Sequence, residues 1–395
     1  MAQSTLMLFV FPNFNQWSSP LLFLTLQGVI FALLLFTRYY KNKQVSDLLL
    51  GSLLTILCYH RITYIIGFMD WYDTFHNTKI NYWLIAFEFS VGPLLYLYVK
   101  SVTTSGFKFV KAHIYHFIPQ IIYVIYKLWL IGYDANQPGF SDTQNGIMME
   151  SIEMQYVNPF YVLFTNVQMI LYLAFTVQMF IKYRAKIKQF YSNTFKLELN
   201  WLASFLAIYI LLFIYSLLQM LINISIFEMS WTQKWWFHFV SCLAIIYIGV
   251  KGYFTKTNTL KDLEFNSVTT SATPQEHVRD HSYEKEIQKL TNYIHEEKPY
   301  LNPDMSLKLL ADGINLSPSQ VSEIINNGFG INFNDFINKY RVEEIKLALQ
   351  KGDHKSLSLV AIAFDCGFNS KATFNRVFKK VSGMSPTEFL KTLNA

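Results

Sequence analysis

Six polar side chains interrupt long apolar stretches in the first part of the sequence, and they are the first candidates for chemistry. They are His60, Arg61, Glu88, Asn166, Gln168 and Gln219. A charged or strongly polar group at membrane depth is costly, so it normally faces a partner or a cavity. Arg61 and Glu88 lie at the same depth of their stretches, which predicts an ion pair. The whole set has two interpretations: structural hydrogen bonding between helices, or a ligand pocket in one half of a helix bundle.

The sequence contains no residue pattern typical of catalysis. The HExxH, GxSxG and Walker-type glycine motifs are absent, as are the ATP-binding motifs of a sensor kinase. Cys58, Cys242 and Cys366 lie far apart, without a CxxC pair or a nearby histidine cluster, which excludes a disulfide framework and a structural zinc site as organising features. We therefore predict that the protein is not an enzyme, binds no metal and needs no cofactor.

The apolar stretches indicate the fold class. Of 395 residues, 52% are hydrophobic and only 15% are charged, against about 25% charged residues in a soluble domain. A membrane-crossing helix needs roughly 20 apolar residues. Stretches of that kind lie at about 20–38, 47–69, 80–99, 114–133, 157–181, 201–226 and 235–253. The sequence thus predicts a seven-span transmembrane sensor domain over residues 1–253.

The connections between the stretches indicate an orientation. Those after the first, third and fifth stretches carry 11 Lys and Arg residues, whereas the other three carry only Lys79 and Lys234. Basic residues concentrate in cytoplasmic loops, so we expect a multi-pass protein of the bacterial inner membrane, with the N-terminus outside and the C-terminal domain in the cytoplasm. Arg61 and Glu88 then lie in the outer half of the bundle. Lys127 lies near the outer end of its span, from which its amine can reach the interface.

The charge balance differs between the two parts of the chain. Residues 1–253 hold 16 Lys and Arg against 10 Asp and Glu, a difference of +6, whereas residues 254–395 hold 17 against 17. The net charge of +6 is therefore a topology signal and not a signal of DNA binding. Residues 254–282 are polar and rich in Ser and Thr, which predicts a flexible linker before a helical domain at 283–395.

An internal repeat organises this C-terminal domain. SLKLLADGINLSPSQVSEIINN (306–327) aligns with SLVAIAFDCGFNSKATFNRVFKK (358–380), with a turn one residue longer in the second copy. Two short helices joined by a tight turn describe a helix-turn-helix unit, so we predict two units at about 306–327 and 358–381. Ser317 to Gln320 and Ser385 to Glu388 are capping boxes. An amphipathic helix at about 332–351 joins the units and can set their spacing on one duplex face.

The same residues resemble the DNA-binding domain of the AraC/XylS family of bacterial transcription regulators over about 287–392. The matching elements are LLADGINLSPSQVSEIIN, FNDFINKYRVEEIKLAL and AIAFDCGFNSKATFNRVFKKVSGMSPTEF. The first part, with GPLLYLYVKSV and HFIP, resembles the seven-span sensor fused to such domains in Bacteroidota-type bacteria. The resemblance implies an all-α fold, a seven-helix transmembrane bundle followed by a cytoplasmic double helix-turn-helix domain.

The resemblance assigns unequal roles to the two units. In the second, the recognition helix is expected to expose Lys371, Thr373, Arg376 and Lys379. Arg376 suits a guanine O6/N7 contact, while Lys379 and Lys380 suit phosphates. In the first unit, the corresponding residues are Ser319, Ser322 and Glu323. That set reads little sequence, or it serves contact with RNA polymerase or with a second protomer.

We interpret the sequence as a membrane-bound transcription regulator. Its seven-helix module senses an unknown small-molecule or membrane-derived ligand from outside or within the lipid bilayer. Its cytoplasmic domain binds double-stranded promoter DNA, with RNA polymerase and a second copy of the chain as further partners. The alternative is a membrane receptor or transporter whose cytoplasmic helical domain docks proteins and does not bind DNA.

Overall fold

The computed structural model describes residues 13–74, 78–194, 199–255 and 281–393. Throughout these ranges the chain forms helices, turns and loops, and no β-strand occurs in them. The predicted all-α fold class is therefore confirmed. The chain divides into two compact units, residues 1–180 with 200–262 and residues 181–199 with 263–395. The predicted linker at 254–282 lies mostly outside the described residues.

Seven helices in the described residues are long and apolar enough to cross a membrane, as the sequence predicted. They span Ser18–Asn42, Val45–Phe68, Ile80–Thr103, Lys111–Ala135, Met149–Phe190, Asn200–Ser225 and Trp231–Phe254. Their main α-helical parts are α1 Ser18–Asn42, α2 Val45–Phe68, α3 Glu88–Thr103, α4 Ile118–Ala135, α5 Asn158–Phe190, α6 Asn200–Ser225 and α7 Trp231–Phe254. α1 packs against α2 and α7, and α2 packs against α3. Glycines allow close approach: a Cβ on Gly28 would lie 2.6 Å from Cys58 Sγ, and one on Gly249 would lie 2.8 Å from Phe31 Cβ. Small residues at helix crossings bring backbones together in this way.

The third predicted stretch is a broken helix. A short helical turn, Ile80–Trp83, is followed by four non-helical residues before α3 begins at Glu88. Gln120 Nε2 donates to the Ala86 carbonyl at 2.9 Å, and the Glu88 N–H donates to the Tyr161 hydroxyl at 3.1 Å. Irregular backbone at membrane depth is tolerated where protein groups satisfy it or where it lines a cavity. The break places Glu88 in the first turn of α3.

The expectation that Lys127 reaches the interface is wrong. Lys127 is only 4% exposed, and its Nζ lies 3.2 Å from Glu153 Oε1. Tyr123 donates its hydroxyl to the same oxygen at 3.1 Å. Glu153 lies in the π-helical segment Met149–Val157, which precedes α5. A buried ammonium is costly unless it is paired, and the carboxylate supplied by this extension of α5 gives Lys127 a partner inside the bundle.

The second unit contains the C-terminal helices. They are α8 His281–Glu297, α9 Leu307–Gly313, α10 Pro318–Glu323, α11 Phe333–Lys351, α12 Leu359–Asp365, α13 Lys371–Ser382 and α14 Pro386–Leu393. The Ser317–Gln320 capping box is present, and Ser385 and Glu388 exchange the equivalent bonds before α14. Residues 314–317 connect α9 to α10 and residues 366–370 connect α12 to α13, so the second turn is one residue longer.

Helix α11 belongs to two hydrophobic cores. Its first half contributes Phe333, Phe336 and Ile337 to a core shared with α8, α9 and α10. Its second half contributes Val342, Ile345 and Leu349 to a core shared with α12 and α13. Because one continuous helix is buried in both cores, the two helix-pair units are held at a fixed separation and rotation within this unit.

Candidate functional site

Helix α13 has one apolar face and one polar face. Ser370 caps its start by accepting from the Thr373 N–H, and Gly383 ends it in the left-handed conformation at φ 80°. Phe374, Val377 and Phe378 are buried in the second core. The exposed residues Ala372, Asn375, Arg376 and Lys379 have the i, i+3, i+4, i+7 spacing of a single helix face. This face is the candidate recognition surface.

The structure changes the predicted membership of this surface at one position. Thr373 was expected to be exposed, but it is 9% exposed and its hydroxyl is enclosed without a hydrogen-bond partner. Thr373 lies one residue before Phe374 and four before Val377, so it shares their buried side. Lys371 is exposed, and Lys380 binds Asp335 of α11 at 2.7 Å.

Asn375 was missed by the sequence analysis. It lies beside Arg376 on the exposed face, and an asparagine amide can bind adenine N6 and N7 in a bidentate manner. The signal was present in the sequence, since Phe374 and Phe378 mark the buried side and 100° per residue places 372, 375, 376 and 379 opposite. Val377 is buried as well, which confirms that these four positions lie on the side opposite the core.

The first helix-turn-helix unit presents α10, which is shorter and less basic than α13. After α10 the chain continues as the π-helical segment Ile324–Gly328. Ser319 and Glu323 are exposed, whereas Ser322 is half-buried and accepts a hydrogen bond from Asn326 Nδ2 at 3.2 Å. The exposed Asn326 and Asn327 extend this surface and were not predicted. The surface therefore offers hydroxyl, amide and carboxylate groups.

A buried arginine links the two cores of the second unit. Arg341 of α11 is 1% exposed, and burial lowers its pKa to about 10, so it stays charged at neutral pH. It donates to the carbonyls of Tyr300 and Asn302 at 2.7 and 2.8 Å, and to Asn338 Oδ1 at 3.3 Å. A fourth bond reaches Ser192 Oγ at 3.1 Å. These four oxygens leave Arg341 no role on the exposed recognition surface.

Ser192 belongs to residues 190–194, here called the docking segment, which begin at the last residue of α5 and pack within the second compact unit. Phe190 packs against the first core. Ser192 donates its N–H and its hydroxyl to the Met305 carbonyl at 3.1 and 2.6 Å. Asn334 Nδ2 donates to the carbonyls of Tyr191 and Ser192 at 3.1 and 2.6 Å. In the sequence this segment lies in the predicted loop between the fifth and sixth spans, and no sequence pattern predicted these contacts.

A cavity of about 180 Å³ lies in the compact unit of the seven apolar helices, among α2, α3, α5, α6 and α7. His60, Arg61, Glu88 and Asn166 line it, and so four of the six polar residues singled out in the sequence come together there. Gln168 and Gln219 are not among the lining residues. Tyr209, Ser216 and Ser241 add hydroxyl groups that the sequence analysis did not select.

The predicted ion pair between Arg61 and Glu88 is wrong. Arg61 Nη1 lies 2.6 Å from His238 Nδ1 on α7, and its guanidinium lies 5.4 Å from the centre of the Phe237 ring. Glu88 instead lies 3.7 Å from His60 Nε2 and accepts from the Tyr161 hydroxyl at 2.5 Å. Successive helical residues point about 100° apart, because a turn contains 3.6 residues. His60 therefore faces α3, and Arg61 faces α7.

Comparison with known proteins concerns only the C-terminal part of the chain. Residues 310–392 match a family described as helix-turn-helix domain. An uncharacterized HTH-type transcriptional regulator of Staphylococcus aureus strain COL, and another of strain N315, are each 31% identical over 90 residues, or 23% of this chain. The regulatory protein PocR of Salmonella typhimurium is 26% identical over 131 residues, 33% of this chain and 39% of its own length. No solved structure is significantly similar to the chain.

The match places both units in one helix-turn-helix domain. It begins within α9 and ends within α14, and so includes α11 and the buried residues of the second core, whereas α8, which contributes to the first core, lies before it. The chain spans only 12% of the length of the Staphylococcus regulators. The family match therefore covers the helix-turn-helix domain and none of the seven apolar helices.

Proposed function

We propose that the chain is a membrane-bound transcription regulator whose helix-turn-helix domain binds promoter DNA under the control of the seven apolar helices. The observation that carries this proposal is the exposed face of α13, with Asn375, Arg376 and Lys379 on a helix fixed to α11. A helix of this kind enters the major groove, where arginine reads guanine and asparagine reads adenine. Lys371 and Lys379 bind phosphates and so position the helix.

The neutral charge of residues 254–395 bears on how binding becomes tight. Non-specific affinity for DNA depends on the number of phosphates that basic residues neutralise. A domain without net charge therefore binds DNA of any sequence with only modest affinity. Attachment to the membrane or pairing with a second copy then raises the local concentration of binding sites. The surface of Ser319, Ser322 and Glu323 reads little sequence, or it contacts RNA polymerase or a second protomer.

Three substitutions are expected to separate base reading from phosphate binding. Arg376→Ala should weaken operator binding by about 1–3 kcal/mol and relax the preference at one base pair. Lys379→Ala should weaken binding to all sequences alike and lower the slope of log affinity against log salt by about one. Glu323→Ala should leave the sequence preference intact. Titrations of the whole protein in nanodiscs, at several salt concentrations, measure all three.

The opposite pattern would place base reading on the first unit. If Glu323→Ala removed specificity while Arg376→Ala changed neither affinity nor preference, α10 and not α13 would be the reading helix. The intact chain is required for these titrations, because a fragment that starts at residue 283 lacks Ser192 and so removes a partner of Arg341.

The proposal includes an orientation in the membrane. The 11 to 2 distribution of Lys and Arg among the connections favours an outer N-terminus and a cytoplasmic helix-turn-helix domain. A reporter enzyme that is active only in the cytoplasm should therefore be active when fused after Lys256 and inactive when fused near Asn145. Activity at Asn145 and silence at Lys256 would leave the helix-turn-helix domain outside the cell, away from DNA.

The docking segment supports the controlling role of the apolar helices. It connects α5 to α6 along the chain, and Asn334, Arg341 and Met305 of the helix-turn-helix unit hold it through buried hydrogen bonds. A displacement of α5 or α6 would therefore act on α11, the helix that fixes both units. We propose that a ligand in the bundle changes DNA binding by this route.

Genome-wide capture of DNA with the intact protein tests the function. We expect enrichment of a defined motif, and we expect the Arg376→Ala variant to lose that enrichment at the same protein level. The rival, a receptor or transporter with a protein-docking domain, predicts no motif and no salt-dependent DNA binding. Equal recovery of DNA by the two proteins, without a motif, would favour the rival.

A further inference from the structure

The cavity among α2, α3, α5, α6 and α7 contains a positive group without a counterion. The Arg61 guanidinium keeps its charge in proteins, yet among the described residues it forms no ion pair. Its Nη1 lies 2.6 Å from the ring nitrogen His238 Nδ1, which carries no negative charge. Its Nε is enclosed and has no hydrogen-bond partner. A buried charge of this kind normally faces an opposite charge, and the cavity is the space that Arg61 lines.

Glu88 is a negative group on the same cavity, and it also lacks a full counterion. Its Oε2 accepts from the Tyr161 hydroxyl at 2.5 Å. The basic group that forms an ion-pair contact with the carboxylate is His60, whose Nε2 lies 3.7 Å from Oε1. His60 Nε2 makes no hydrogen bond, and the Glu88 side chain is 44% exposed.

The two charges are opposite and line one cavity, but they do not pair with each other. A ligand with a single negative charge would satisfy Arg61 and leave Glu88 repelled, and a simple amine would do the reverse. A ligand with both charges would satisfy both residues at once. An arginine binds a carboxylate through two parallel hydrogen bonds, and a carboxylate such as Glu88 can accept from an ammonium group.

The size and the remaining walls of the cavity restrict the ligand further. A dry cavity of about 150 Å³ holds a molecule of the size of benzene, and this cavity measures about 180 Å³. Leu57, Val91 and Ile245 supply apolar wall, beside the hydroxyl and amide groups already described. The non-helical residues 84–87 lie directly before Glu88, and irregular backbone at this depth is typical of segments that line cavities.

We propose that this cavity binds a small zwitterion, an α-amino acid with an apolar side chain, whose carboxylate binds Arg61 and whose ammonium group binds Glu88. The inference rests on the proposed sensing function, because it names the class of ligand that the seven-helix domain would sense. The apolar side chain of the ligand lies against Leu57, Val91 and Ile245.

Thermal unfolding of the purified full-length protein in nanodiscs tests the inference. The probes are the twenty common amino acids, and then, for the most effective one, its analogues without the amine and without the carboxylate. For leucine these analogues are isocaproate and isoamylamine. We expect an apolar amino acid to raise Tm by about 5 °C at a concentration of one hundred times Kd. Each analogue should give only a small fraction of that shift.

Three variants locate the site. Arg61→Met and Glu88→Gln should abolish the shift, and Ser216→Leu should do so by filling the cavity while both charges remain. Lys234→Met is the matched control, because this basic residue lies at the start of α7 and does not line the cavity. If Arg61→Met or Glu88→Gln fails to fold, Ser216→Leu carries the test.

The outcomes are decisive in both directions. The inference is overturned if no amino acid raises Tm, if an analogue with one charge matches its parent, or if Ser216→Leu responds like the wild type. The readout does not involve DNA, so its failure is distinguishable from failure of the proposed function. Motif capture without an amino-acid response would refute only the ligand class, whereas a response without motif capture would refute only the regulator.

Discussion

Gly367→Ala is expected to unfold the second half of the helix-turn-helix domain, at a cost of more than about 4 kcal/mol. Gly367 lies in the turn between α12 and α13 at φ 89°, in the left-handed region that other residues rarely adopt. A Cβ there would lie closest to the Tyr300 carbonyl oxygen, and 2.9 Å from both the Leu301 carbonyl oxygen and Arg341 Nε. Two of these three atoms belong to the backbone and cannot turn away as a flexible side chain would.

Gly383→Ala is the matched control for this substitution. Gly383 ends α13 at φ 80°, but nothing lies within 4 Å of a Cβ built there. It should therefore show only the left-handed penalty of about 1–2 kcal/mol. Hydrogen exchange of the α12 and α13 amides in the full-length protein measures both variants. Equal protection in the two would mean that the contacts with residues 300 and 301 do not constrain this turn.

Arg341→Met is expected to destabilise the same domain by about 2–6 kcal/mol, although methionine keeps much of the apolar volume. The substitution leaves the Tyr300 carbonyl and Asn338 Oδ1, which belong to buried residues, without the donor that Arg341 supplies, and each such group costs about 1–3 kcal/mol. It also removes the bond to Ser192, so the docking segment should exchange faster. Hydrogen exchange of residues 187–194 and of α11 reports the two effects separately.

Lys339→Met provides the comparison on the same helix. Lys339 is exposed on α11, and surface substitutions of this kind usually change stability by less than about 0.5 kcal/mol. An Arg341→Met protein as protected as the Lys339→Met protein would show that water replaces the guanidinium without cost. The buried network would then be a packing feature with no role in holding the docking segment.

Much of the fold follows from local patterns that neighbouring residues already contain. Seven stretches of apolar residues, from about 20–38 to 235–253, predicted the helices that the structure has from Ser18–Asn42 to Trp231–Phe254, because a helix surrounded by lipid must be apolar along its whole length. The Ser317 and Ser385 capping boxes marked helix starts, because the bonds involved join residues three apart. The repeat of residues 306–327 at 358–380 predicted two similar units, because similar local sequences favour similar helices and turns.

The candidate sites were predicted only in part. The sequence identified α13, with the basic residues Arg376 and Lys379, as a binding surface. It also predicted that Thr373 is exposed, which is wrong, and it did not indicate Asn375. The error is one of helix register, since a shift of one residue rotates a side chain by about 100°. Among the seven apolar helices, polar residue types pointed to His60, Arg61 and Glu88, but their depth alone could not show which of two adjacent residues faces α3.

The sequence by itself determined the helices, their order and the apolar or polar character of each face, because those properties depend on residues within a few positions of one another. Only the tertiary structure decided that Lys127 binds Glu153, that Arg61 and Glu88 line one cavity without pairing, and that Arg341 holds Ser192 from 149 residues away. These contacts join distant parts of the chain, and their energies depend on distance and burial that no local pattern specifies. Gly367 shows the same division: the repeat predicted a turn at this place, but only the approach of residues 300 and 301 excludes a side chain there.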